Sequence, residues 1–166
     1  MVWGMTLATF TTVHVVLSLI GIASGFVVMF GFLAGRRLRF GTILFLITSI
    51  ATSVTGFGFP VEHLLPSHIV GVLSLVVVAV AIVALYGLHF RGFWRWIYVV
   101  ASALALYLNV FVGVVQAFLK LPALHALAPQ QTEPPFVTTQ LAVLAIFVLL
   151  TVVALKQFRA DPVARA

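Results

Sequence analysis

Residues 94 to 120 read WRWIYVVASALALYLNVFVGVVQAFLK, and between Arg95 and Lys120 this stretch contains no charged side chain. A helix rises about 1.5 Å per residue, so roughly 20 apolar residues cross the hydrocarbon layer of a bilayer. The stretch therefore reads as a membrane span, from about residue 96 to 119. Four more segments of similar character flank it, at about 5–34, 42–59, 69–90 and 137–158.

Composition points the same way. Apolar residues make up 63% of the chain and charged residues 7%, whereas a soluble domain is near half apolar and a quarter charged. Lipid is the solvent that suits such a surface. Ten-residue alternating segments separated by turns, the signature of an outer-membrane barrel, are missing. The expectation is an all-α, polytopic transmembrane helix bundle of about five spans, with residues 1–166 forming one integral membrane domain.

Basic residues orient the spans. Arg36, Arg37 and Arg39 follow the first span, Arg91 and Arg95 lie between the third and fourth, and Lys156, Arg159 and Arg165 follow the fifth. Eight of the nine basic residues thus fall on one side, with Lys120 opposite. The positive-inside rule puts that side in the cytoplasm, so the N-terminus is expected outside and the C-terminus inside. The net charge of +6 then reports topology. It does not form the basic, aromatic-lined patch of a nucleic-acid groove, so no nucleic-acid partner is expected. Lipid is the expected partner, with a weak attraction to anionic headgroups. Trp94, Trp96 and Tyr98 are placed as an aromatic belt at the cytoplasmic ends.

The first apolar run is too long for a signal peptide and has no Lys or Arg before it, so it is expected to stay in the chain. Cysteine is absent, which excludes disulfides, thiolate metal ligands, iron–sulfur clusters and cysteine nucleophiles. Any metal would rest on His, Glu, Asp or backbone oxygen.

Two longer connections fall on the outer face, Pro60 to His68 and Leu121 to Phe136. The second is proline-rich, and an irregular cap or short interfacial helix is expected there. The first carries Glu62, His63 and His68, and the second His125 and Glu133. His14 lies near the outer end of the first span. Imidazole and carboxylate suit zinc, copper, nickel or non-haem iron, which makes Glu62, His63, His68 and His125 candidate transition-metal ligands. A bland alternative stands beside this one: histidine tolerates the headgroup zone, and Ser67 or His68 after Pro66 is a natural start for a helix. A third alternative is one b-type haem held by His14 and His68, exchanging electrons with membrane quinone.

Ser102, Asn109 and Gln116 recur every seven residues and so share one face of the fourth span. Thr48, Thr52 and Thr55 form a face on the second, with Ser49 and Ser53 beside them. These two faces are expected to touch, either as hydrogen-bonded packing or as the wall of a polar path for a passive channel or carrier. No acidic or basic residue lies at mid-membrane depth, which disfavours active transport. Gly21 and Gly25, and Gly31 and Gly35, have the small-xxx-small spacing of close helix crossings, within the chain, in a homo-oligomer or in a larger membrane complex. No phosphate-binding loop, dinucleotide glycine pattern or nucleophile elbow occurs, and a non-enzymatic binding or accessory role is expected.

The stretches TSVTGFGFP (52–60), LLPSHIVGVLSLVV and WRWIYVVASALALYLNVFVGVVQAFLK together resemble a group of small bacterial inner-membrane proteins with no assigned activity. The resemblance implies a multi-pass protein of the bacterial inner membrane and supplies no cofactor or catalytic residue.

Overall fold

The computed structural model describes residues 1–60 and 66–159. All the secondary structure that shapes the bundle is helical, and no strand forms among the described residues. Five helices are long and apolar enough to cross a membrane. They are α1 (Leu7–Leu33), α2 (Arg39–Gly56), α3 (Pro66–Ile82) with the π-helical turn Val83–Gly87 that continues it, α4 (Trp94–Lys120) and α6 (Pro134–Gln157). A short α5 (Pro122–Leu127) lies between α4 and α6 and buries none of its side chains.

Local chemistry sets the ends. The Thr6 hydroxyl accepts from the Thr9 N–H at 3.2 Å and caps α1. At the other end of α1, Gly35 takes φ +71°, a left-handed conformation that glycine adopts without strain. The Arg36 N–H then bonds back to the Gly31 carbonyl at 2.9 Å, closing the helix and turning the chain into α2. Pro122 begins α5, and Pro134 and Pro135 begin α6, where a missing N–H costs nothing.

Helices α1, α2, α3 and α4 form a ring in which each packs on the next and α4 packs back on α1. Helix α6 lies outside this ring against α4 and α1. Glycines let α1 approach closely: a β-carbon on Gly21 would lie 3.4 Å from Thr48 Oγ1, and one on Gly31 3.1 Å from the Arg36 carbonyl. In lipid, where apolar burial gives helices little reason to associate, such close packing and interhelical hydrogen bonds hold a bundle together. The outward faces are correspondingly apolar, with Ile69 71% and Leu149 66% exposed.

The end of the bundle that carries the arginines is closed by aromatics. Tyr98 is wholly buried, its ring 5.4 Å from Phe32 and 5.1 Å from Phe90, and Phe158 lies 4.9 Å from Phe32. This corrects the belt expected from sequence: Trp96 is exposed, but Tyr98 turns inward, because its hydroxyl has a partner in buried Thr42 at 3.4 Å. The Arg95 guanidinium donates to the Phe158 carbonyl at 2.7 Å and so fastens the last turn of α6 to the first of α4.

Candidate functional site

Positions 14, 21 and 25 recur at helical spacing on one face of α1, and positions 55, 48 and 45 do so on α2. Running antiparallel, the two faces meet pair by pair. His14 Nδ1 lies 2.8 Å from the Thr55 hydroxyl, Gly21 faces Thr48, and Gly25 faces Phe45. From the third side α4 inserts Asn109, whose amide donates to Ser49 Oγ at 3.1 Å. Below it Leu106 fills the space left by Gly25.

The expected meeting of the second and fourth spans thus occurs through side chains that reach across the ring, with the two backbones held apart by α1 and α3. Most of the polar groups are satisfied within their own helix. Thr48 Oγ1 bonds the Leu44 carbonyl at 2.7 Å, and Ser24 Oγ the Ile20 carbonyl at 2.7 Å. Thr52 Oγ1 is buried without a partner. Ser102 is buried and Asn109 partly so, whereas Gln116, one turn short of the end of α4, is exposed and leaves the stripe. A side-chain amide can stay wet at that height, so periodicity alone overstated the buried length of the polar face. Toward the arginine end Leu106 and Phe45, each 1% exposed, close the seam.

The Thr55 hydroxyl selects the tautomer of neutral His14. Thr55 Oγ1 donates its one proton to the Ala51 carbonyl at 2.7 Å. It can therefore only accept from His14, which places a proton on Nδ1, so that in the neutral imidazole the lone pair lies on Nε2. That is the nitrogen a metal or a hydrogen-bond donor would engage.

The turn after α2 sends one phenylalanine to each of the two candidate haem ligands. Phe59 lies edge-on to His14 at 5.2 Å and to Phe10 at 5.0 Å. Phe57 instead lies 5.7 Å from the ring of His68, in the first turn of α3, and wedges against Gly71. Two residues apart, these phenylalanines point to opposite flanks, one toward α1 and the other toward α3. His14 and His68 each pack on a different ring of this turn.

His125 stands exposed on α5, and Glu62 and His63 lie outside the described residues. Among the described residues, no three His, Cys, Asp or Glu side chains come together to hold a metal ion. The expected set Glu62, His63, His68 and His125 thus lies partly outside the described residues, and the other outer-end candidates His14, His68, His125 and Glu133 supply no such group of three. The Glu133 carboxylate instead accepts from the backbone N–H groups of Gln130, at 3.2 Å, and Thr132, at 3.0 Å. Slight desolvation raises its pKa, but these backbone donors outweigh it and hold the carboxyl below its usual range.

Several polar contacts escape a reading based on periodicity. Gln140 of α6 donates to the Phe111 carbonyl of α4 at 3.2 Å, with its Oε1 buried and unpartnered, and Gln131 donates to the Val115 carbonyl at 2.8 Å. A glutamine inside an apolar span was the available signal, but its partner is a backbone group that no pattern marks.

The chain matches no family model, no curated protein and no solved structure.

Proposed function

We propose that this chain is a non-enzymatic binding component of the bacterial inner membrane, with its N-terminus exported and its C-terminus in the cytoplasm, and that it takes a transition-metal ion at the exported end. The observation that carries this reading is the bond between His14 and Thr55, since a neutral imidazole with Nδ1–H held by a neighbour and Nε2 bare is the usual state of a metal-ligating histidine. By chain connectivity, residues 61–65, with Glu62 and His63, join the turn that touches His14 to the helix that carries His68. They are the natural source of further donors. The seam from Asn109 to Gly25 is assigned to packing, because its polar groups bond each other or their own helices and its lower end is filled.

Metal-depleted, detergent-solubilised protein titrated with copper, nickel and zinc in turn tests this reading. One equivalent of one metal is expected to bind. His14→Ala should abolish binding, and Thr55→Val should weaken it by about tenfold, as loss of an orienting partner does. Less than about a tenth of an equivalent bound, where a direct site of this kind should fill, would overturn the reading. So would reduced Soret and α absorption bands that vanish in His68→Ala, which would assign a haem instead.

A further inference from the structure

At the arginine end, a cavity of about 220 Å³ opens between the start of α2 and the π turn that ends α3. Arg37, Arg39, Thr42, Ile43, Leu85 and Tyr86 line it. We propose that this cavity binds the phosphate of an anionic lipid headgroup.

The chain builds the cavity in a particular way. An α-helical ladder through residue 87 would carry Tyr86 on around the axis. The π turn instead widens the helix by one residue, with the Leu88 N–H bonding the Val83 carbonyl at 2.9 Å. Leu85 is thereby buried, while Tyr86 stands half exposed on the flank facing the first turn of α2. Arg37 is steadied from the other side, its guanidinium carbon 5.8 Å from the centroid of the Phe90 ring. At about 30 Å³ per water, the volume corresponds to roughly seven waters, ample for a phosphodiester and the first glycerol carbons.

Charge selects the occupant. Two guanidinium groups present planar forks of donors, the geometry that suits phosphate oxygens. The only carboxylate among the described residues is Glu133, which belongs to the opposite end of the bundle, so no described acid competes for these arginines. Exposed Phe40 and Ile43 flank the same corner with apolar surface, which suits a ligand carrying acyl chains and not a soluble anion. This inference stands on the cavity and its lining and does not depend on the histidine site.

Native mass spectrometry of the full chain in neutral detergent, with phosphatidylglycerol or phosphatidylcholine added, tests it. One phosphatidylglycerol is expected to be retained at about a 25-fold lower lipid concentration than phosphatidylcholine, roughly fivefold for each guanidinium. Arg37→Gln with Arg39→Gln should erase that preference, while Arg91→Gln, at the same end but outside the cavity, should keep it. Arg39 is exposed, so Arg39→Gln alone, expected to lose about fivefold, provides the test if the double variant fails to fold. A preference that survives the substitutions, or falls equally in Arg91→Gln, overturns the proposal. So does displacement of the lipid by millimolar inorganic phosphate in an Arg37- and Arg39-dependent way, which would assign the cavity to free phosphate.

Discussion

Gly25 and Leu106 meet so closely that a β-carbon at position 25 would stand 2.5 Å from Leu106 Cδ1, and 2.9 Å from Phe45 Cε2 on the other side. Both neighbours are buried and cannot swing away. Gly25→Val should therefore destabilise the bundle by about 1–3 kcal/mol, the usual range for overpacking. Gly113 is the control, since its added carbon would meet Ile22 Cδ1 at an ordinary 3.5 Å. Gly113→Ala should be neutral or stabilising by up to about 1 kcal/mol through helix propensity. Unfolding of both variants in mixed micelles checks this, and equal stability would show that the crossing at Gly25 is not tightly packed.

Asn109 and Ser49 tie α4 to α2 across the ring. Asn109→Leu should cost about 0.5–2 kcal/mol, in keeping with interhelical hydrogen bonds in lipid. Solute leak through proteoliposomes should not change. If the variant kept full stability but altered flux, the seam would be a path and not a packing device.

The bond to Thr55 predicts the state of His14. Nitrogen-15 spectra of imidazole-labelled protein should show a protonated Nδ1 and a bare Nε2. In Thr55→Val the donor loses its acceptor, and stability should fall by about 1–3 kcal/mol. A protonated Nε2 in the parent protein would refute the assignment.

Glu133 gives a pH dependence with a defined sign. Its carboxyl is held below the usual value of 4.5 by backbone donors in the folded turn. The ionised form is thus favoured by folding. This contribution is fully present above the unfolded value and fades as pH falls through the lower folded one. The group is exposed, so the effect should be small and local. A Glu133 titration midpoint below 4.5 by NMR, with faster amide exchange at Gln130 and Thr132 in Glu133→Gln, is the expected result.

The proposed orientation can be probed cleanly because the chain has no cysteine. Ala126→Cys on α5 and Ala34→Cys after α1 place single thiols at exposed positions on opposite ends of the bundle. With the N-terminus exported, a membrane-impermeant maleimide should label position 126 in intact cells and position 34 only after permeabilisation. The reverse pattern would invert the topology.

The five spans were legible because lipid demands long apolar runs, and each run appears in the structure as one helix. Their ends were less so. Helix α2 begins at Arg39 and not near 42, since a charged residue continues a helix comfortably at headgroup height. Hydropathy also cannot separate an α from a π turn, because Val83 to Gly87 is equally apolar in either form. Of the candidate site, sequence placed His14 correctly near one end of α1 but could not supply Thr55 as its partner, which depends on how α1 and α2 cross. Nor could it show that Phe57 and Phe59 would part to opposite flanks, one ring against His68 and the other against His14. Those facts come from rotation about helix axes, and hydrophobic period fixes such rotation only where one face differs from the rest. Helix α1 is apolar almost all round.

Helix α6 lies outside a ring that the first four spans close among themselves. A chain made from its N-terminus onward therefore has α1 to α4 available to assemble before α6 leaves the ribosome. The last span then docks on a finished surface, its Gln140 meeting the Phe111 carbonyl and its end caught by Arg95. In biogenesis, truncation before residue 134 should leave an inserted four-span intermediate, with the Arg95 side chain as the latch awaiting the final helix.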